Sequence, residues 1–181
     1  MTDRKTFEKS LLNTYSTWHD VFPQDGGDTI PLIAKAEFRS RNEKYVLVKQ
    51  AKLWSAENYE YSYIFSAEKL TTSMVSECID FALADGMPKI KPHSEHMCSY
   101  ITVIILADQI ENDAIQKVRK SRYTKNFHFS LHGWMALKVL AKDMGDGFLY
   151  TNREGRDLIE LFKNVQKACD KKQATSQTID K

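Results

Sequence analysis

Between positions 93 and 98 the chain sets His93, Glu95, His96 and Cys98, four side chains able to ligate zinc or a similar transition metal. In extended backbone, positions 93 and 96 point to opposite faces, so a shared ion needs a turn. Pro88 and Pro92 introduce a loop that permits one. His128 and His132 form a second pair. On a helix that spacing would suit one ion, whereas in a strand it holds the rings about 13 Å apart. Each could then join His93 or His96 from a neighbouring strand. Asp108 is the last ligand candidate, because ligands of open α/β sheets gather at strand carboxyl ends. A divalent metal is the one cofactor these residues admit; otherwise none is expected. The plain structural reading is a loop of polar residues hydrogen-bonded to one another.

A second candidate centre involves Lys49, which falls on the same strand face as Tyr45, Leu47, Ala51 and Leu53. Its ammonium must reach a sheet edge or find a buried partner, and Glu37 is the natural one on a neighbouring strand. A structural ion pair is the favoured role, and a general base tuned by a carboxylate is the other. Cys98 precedes an apolar run and reads as a small buried residue rather than a nucleophile. No Gly-rich phosphate loop, HExxH or GxSxG pattern occurs. Residues 117–125, KVRKSRYTK, carry five positive charges and no acid. A solvated basic turn accounts for them, with an anion or nucleic-acid contact as the functional alternative.

The elements that must position these residues follow from hydrophobic period. Phe7, Leu11, Tyr15, Trp18 and Phe22 trace one face of a helix from about Lys5 to Val21. A turn-rich PQDGGD follows. Residues 32–65 predict a three-stranded antiparallel meander, with turns at Ser40–Glu43 and Ser55–Asn58 and strands at Leu32–Arg39, Tyr45–Trp54 and Tyr59–Phe65. Tyr59, Tyr61, Tyr63 and Phe65 make an aromatic stripe suited to packing under a helix. That helix spans about Thr72 to Ala84, capped by Thr72 or Ser73, with Gly86 just past its end.

Tyr100–Ala107 is β-branched and too short for an ordinary helix, so it predicts a central strand buried on both faces. Asn112 or Asp113 caps a helix ending near Ser121, and Asp113 with Gln116 has capping-box spacing. Residues 126–132 alternate as a strand. Trp134–Lys142 fits strand or helix, with strand preferred because Gly145-Asp146-Gly147 turns into Phe148–Thr151. A last helix runs from Thr151 or Asn152 to about Ala168, leaving 169–181 as a flexible tail.

The 181 residues, 42% hydrophobic, fit one α/β or α+β domain over 1–168, with the meander joined to a mixed sheet and helices packed on it. A net charge of +2 gives no bulk attraction to nucleic acid or membrane. Three scattered cysteines predict free thiols, and no apolar run is long enough for a membrane span, so a cytoplasmic protein is expected. A homodimer through a sheet edge or the aromatic stripe is the assembly these features allow.

The order helix, meander, helix, strand resembles the core of restriction-endonuclease-like nucleases. In that group an acid on the second strand and a (D/E)xK signature on the third bind a divalent metal and activate water. The nearest match is Glu37 with Gln50-Ala51-Lys52, where glutamine replaces the acid and the residues sit one strand early. The resemblance therefore implies a degenerate active site. RNEKYVLVKQAKLW, HSEHMCSYITVIILAD, FSLHGWM and YTNREGR resemble segments of an uncharacterised prokaryotic family of small proteins, from about Leu32 to Lys163. Two readings follow: a non-catalytic binding or accessory protein, and a metal-dependent hydrolase with ligands among Glu37, His93, His96 and Asp108.

Overall fold

The computed structural model describes residues 2–25, 30–45 and 52–179. Four helices, α1 (Arg4–Tyr15), α2 (Thr72–Gly86), α3 (Asn112–Lys120) and α4 (Leu158–Ile179), pack on a seven-stranded mixed sheet. Its strands are β1 (Asp20–Pro23), β2 (Leu32–Tyr45), β3 (Lys52–Leu70), β4 (His96–Ile110), β5 (Thr124–Asn126), β6 (Trp134–Asp143) and β7 (Leu149–Thr151). They run in the order β1-β2-β3-β4-β6-β5, with β7 also on β6. β1, β2 and β3 form the antiparallel meander, while β3, β4 and β6 are parallel.

Residues Ile101 to Ala107 of β4 are buried without exception, as their β-branched run predicts for the centre of a sheet. Alternate residues feed two cores. Ile101, Val103 and Ile105 meet α2 and α3 with Tyr63, Phe65, Val75 and Val139. Ile104 and Leu106 meet α1 and α4 with Phe7, Leu11, Ile64 and Phe162. Half of the aromatic stripe lies under α2, where Phe81 packs edge-on against Tyr63 and Phe65. All three cysteines are free thiols. No helix among the described residues is long and apolar enough to cross a membrane.

Several boundaries differ from expectation, each for a local reason. α1 stops at Tyr15 rather than Val21, leaving Trp18 75% exposed and Phe22 in β1. The polar run Ser40–Glu43 is not a turn but strand, paired with Ser55–Asn58 in one long hairpin. Residues 46–51 of the expected Tyr45–Trp54 strand lie outside the described residues. Thr71 rather than Thr72 or Ser73 caps α2. Gly86 closes that helix in right-handed geometry, and its need is for space: a Cβ there would lie 2.8 Å from Ile101 Cδ1. Glu111 precedes α3 without a side-chain cap bond. Residues 128–130 adopt positive φ in a tight turn, so β5 is confined to Thr124–Asn126 and the strand expected over 126–132 does not form. Residues 134–143 are strand, the reading preferred over helix from the sequence. α4 continues past Ala168 to Ile179.

Asn152 locks the far side of the sheet. Its amide donates to Ser121 O (3.1 Å) and Leu137 O (2.8 Å) and accepts from Val139 N (3.0 Å) and Gly155 N (2.9 Å). The residue is 1% exposed, so losing it would orphan several buried backbone groups. Asn152→Ala is expected to cost about 3 kcal/mol in urea unfolding. A change below about 0.5 kcal/mol, the scale of an ordinary surface substitution, would contradict this role.

Candidate functional site

The β2–β3 register sets a charge opposite each stripe tyrosine: Lys35 faces Tyr63, Glu37 faces Tyr61 and Arg39 faces Tyr59. Cross-strand neighbours on one face lie close enough to interact directly. Arg39 and Lys35 sit over the Tyr59 and Tyr63 rings at 5.4 and 5.9 Å. The end of α2 and the short 3-10 turn after it add Asp85 and Lys89. Asp85 binds Lys35 (2.9 Å), Lys89 (3.1 Å) and the Tyr63 hydroxyl (2.7 Å), and Lys89 also binds Glu37 (2.8 Å).

Beyond this ladder, Glu57 is 2% exposed. Arg39 Nη2 donates to both its carboxylate oxygens at 3.1 and 3.0 Å, the Tyr59 hydroxyl donates to Oε2, and His93 Nε2 stands 3.4 Å away. A buried carboxylate needs such partners, and here they are complete. Arg39, Glu57, Tyr59, Tyr61, Lys89 and His93, with Lys91, bound a cleft of about 350 Å³.

These contacts set the protonation states. The Tyr59 hydrogen bond, supported by Arg39 and His93, outweighs burial and holds the Glu57 carboxyl below its ordinary range. Burial, then the Glu57 carboxylate, pushes the Tyr59 phenol up to about 12. Burial alone would raise the Asp85 carboxyl, but hydrogen bonds from Lys35, Tyr63 and Lys89 bring it down to about 2.

The expected histidine cluster is only partly assembled. His96 is buried, with Nδ1 2.6 Å from His132 O and Nε2 2.8 Å from Ser99 Oγ. A carbonyl only accepts, so Nδ1 carries the proton, and in the neutral ring the Nε2 lone pair is left for the serine hydroxyl. His93 Nδ1 accepts from Glu95 N (3.2 Å), which leaves Nε2–H toward Glu57. The ring lone pairs of His93 and His96 are thus both engaged. The His128 and His132 rings lie tilted with centroids 4.5 Å apart, not the 13 Å of a strand, because the turn folds them together. The loop does join His96, but through a backbone carbonyl. Gly133 makes that approach: its φ is +75°, and a Cβ would fall 2.3 Å from Met97 O.

Asp108 lies within β4, twelve positions from His96 and hence about 40 Å along the strand. It pairs with Arg4 at 3.5 Å. Glu37 is held by Lys89, while Lys49 and Gln50-Ala51 lie outside the described residues and Lys52 opens β3 opposite Tyr45. Among the described residues no three His, Cys, Asp or Glu side chains converge to hold a metal. Cys98 donates to Asn58 Oδ1 (3.1 Å), and burial pushes its thiol up, as suits a structural residue. Lys117, Lys120 and Arg122 of the basic segment rim a groove of about 510 Å³ between α2 and α3, facing Asp80. Glu57, Arg39 and Asp85 escape sequence reasoning because Glu57 falls in an apparent turn and its partners come from three separate segments.

Fold and site together define a single-domain α+β protein with a mixed sheet and a cationic, tyrosine-lined cleft on its hairpin. The chain belongs to a family described as a domain of unknown function (DUF8052), whose model matches residues 3–164. No curated protein and no solved structure matches it.

Two outcomes test the site's construction. Because the Asp85 carboxyl falls from 3.8 to about 2 on folding, its stabilisation is complete above the unfolded value and is lost as pH drops through about 2. Thermal unfolding across that window should show a loss that Asp85→Asn removes; an unchanged slope in the variant would exclude Asp85 as the source. Gly133→Ala should destabilise by about 3 kcal/mol through backbone clash and strain, against near-neutrality at an unstrained loop glycine.

Proposed function

We propose that the protein is a non-catalytic binding or accessory protein, and that the hairpin cleft receives an anionic ligand with a planar part. The supporting observation is that the acids around the cleft are already engaged while cations still face outward. Glu57 is clamped by Arg39, Tyr59 and His93, and Glu37 and Asp85 are tied to Lys89 and Lys35. Arg39 nevertheless leaves 59% of its side chain exposed, and Lys91 is exposed with no ion pair among the described residues. Tyr59 and Tyr61 supply flat walls against which a ring can stack. Groups fixed in advance reduce the ordering cost of binding, which favours recognition. The hydrolase alternative is not adopted, because the His93 and His96 lone pairs are engaged and Asp108 is remote.

Phenyl phosphate and inorganic phosphate, titrated calorimetrically at fixed ionic strength, provide the test. Phenyl phosphate should bind more tightly, and Lys91→Gln should weaken it about threefold, the scale of one exposed charge contact. Binding of neither anion would remove the ligand assignment, and release of phenol would remove the non-catalytic one.

A further inference from the structure

The sheet face under α1 and α4 changes character row by row along its strands. Ile64, Ile104 and Leu140 form one apolar row, covered by Phe7, Leu11 and Phe162. Ser62, Thr102 and Lys138 form the next, polar and still buried. Beyond it come Phe38, Glu60 and Tyr100, then Asn58, Cys98 and Trp134. These last two rows, with Tyr59, Met97 and Lys138, line a pocket of about 370 Å³.

Charge within this pocket does not balance. Thr102 Oγ1 (2.7 Å) and Ser62 Oγ (3.3 Å) both donate to Glu60 Oε1, and no basic side chain pairs with that carboxylate among the described residues. Lys138 is the one ammonium in the lining. It is already committed to Asp157 at 2.5 Å and to the Tyr100 ring at 3.9 Å from the centroid. Glu60, Lys138 and Asp157 therefore sum to one negative charge. His19, its ring tilted against Phe38 at 5.2 Å, buries both ring nitrogens without a hydrogen-bond partner among the described residues. Burial outweighs the pull of the Glu60 carboxylate and lowers its pKa.

A lone carboxylate beside aromatic faces is the arrangement that attracts an organic cation: the carboxylate supplies charge and the ring quadrupoles hold the desolvated alkyl groups. Tyr100 already holds the Lys138 ammonium in this way. We propose that this pocket binds a small organic ammonium ion, with Glu60 as counter-ion and Phe38, Tyr100 and Trp134 as its aromatic walls. A bare metal ion would find a single carboxylate and too few hard oxygens. The site is separate from the anion cleft, which draws on the charges of the α2 side; Tyr59 alone borders both.

Choline and its neutral isostere 3,3-dimethylbutan-1-ol are the probes, titrated into the full-length isotope-labelled protein at constant ionic strength and followed at the Trp134 indole N–H resonance. Choline should shift that resonance saturably and the alcohol should bind at least about tenfold more weakly, the worth of one charge-assisted contact. Glu60→Gln retains an oxygen for Thr102 and Ser62 but removes the charge, and should lower choline affinity about tenfold toward that of the alcohol. Equal binding of the two probes to the wild-type protein would overturn the proposal whatever the variant does. So would the absence of a saturable choline shift, or undiminished choline binding in a folded Glu60→Gln protein.

Discussion

Parallel pairing of β4 between β3 and β6 is the constraint from which the architecture follows. A strand flanked on both edges and apolar on both faces exposes no side to water, so it requires a helical layer above and another below. α2 and α3 supply one, α1 and α4 the other. Burying each Ile, Val or Leu of this strand is worth about 1.5–3 kcal/mol relative to exposure. Because β3 and β6 are held in fixed register to β4, residues far apart in sequence form straight rows across the sheet. Those rows bring Asn58, Cys98 and Trp134 side by side.

Both surfaces discussed above lie where that layering gives out. On the α2 side, Lys35, Glu37 and Arg39 of the hairpin meet tyrosine rings, the end of the helix and Glu57. Buried Glu57 would be costly alone, and Arg39, Tyr59 and His93 offset its desolvation. On the opposite face the apolar rows end where α1 and α4 end, and the composition of the strands turns polar and aromatic.

How far the sequence discloses this depends on whether a signal is local. β4 is legible because an eight-residue apolar run needs no partner to be recognised, and the tyrosine stripe is legible by its period of two. The hairpin ends mislead: Ser40-Arg41-Asn42-Glu43 has turn chemistry, yet cross-strand pairing with Ser55–Asn58 prevails. The segment from Phe127 to Leu131 alternates like a strand, but Phe129 and Leu131 are exposed at a turn tip. Its three successive left-handed residues, His128, Phe129 and Ser130, contain no glycine or asparagine to announce them. The candidate site is the least legible part. Arg39, Glu57 and His93 come from three segments, and only the strand register brings them together. Spacing alone brings the histidines into one neighbourhood, but hydrogen-bond directionality at His96 and His93, not proximity, decides what their rings can do.

The first and last helices share one core. Phe7 packs on Phe162 with ring centroids 5.8 Å apart, and Thr2 hydrogen-bonds Asp170 across 168 positions of chain. During synthesis, the strand face that α1 and α4 jointly cover therefore keeps part of its apolar surface open until residues beyond Phe162 have left the ribosome. Closure of this layer joins residues 168 positions apart, and such long-range closure slows folding in proteins dominated by non-local pairing. Until α4 emerges, the sheet is laid down with one of its two covers incomplete, and an apolar face left open in this way is prone to aggregation.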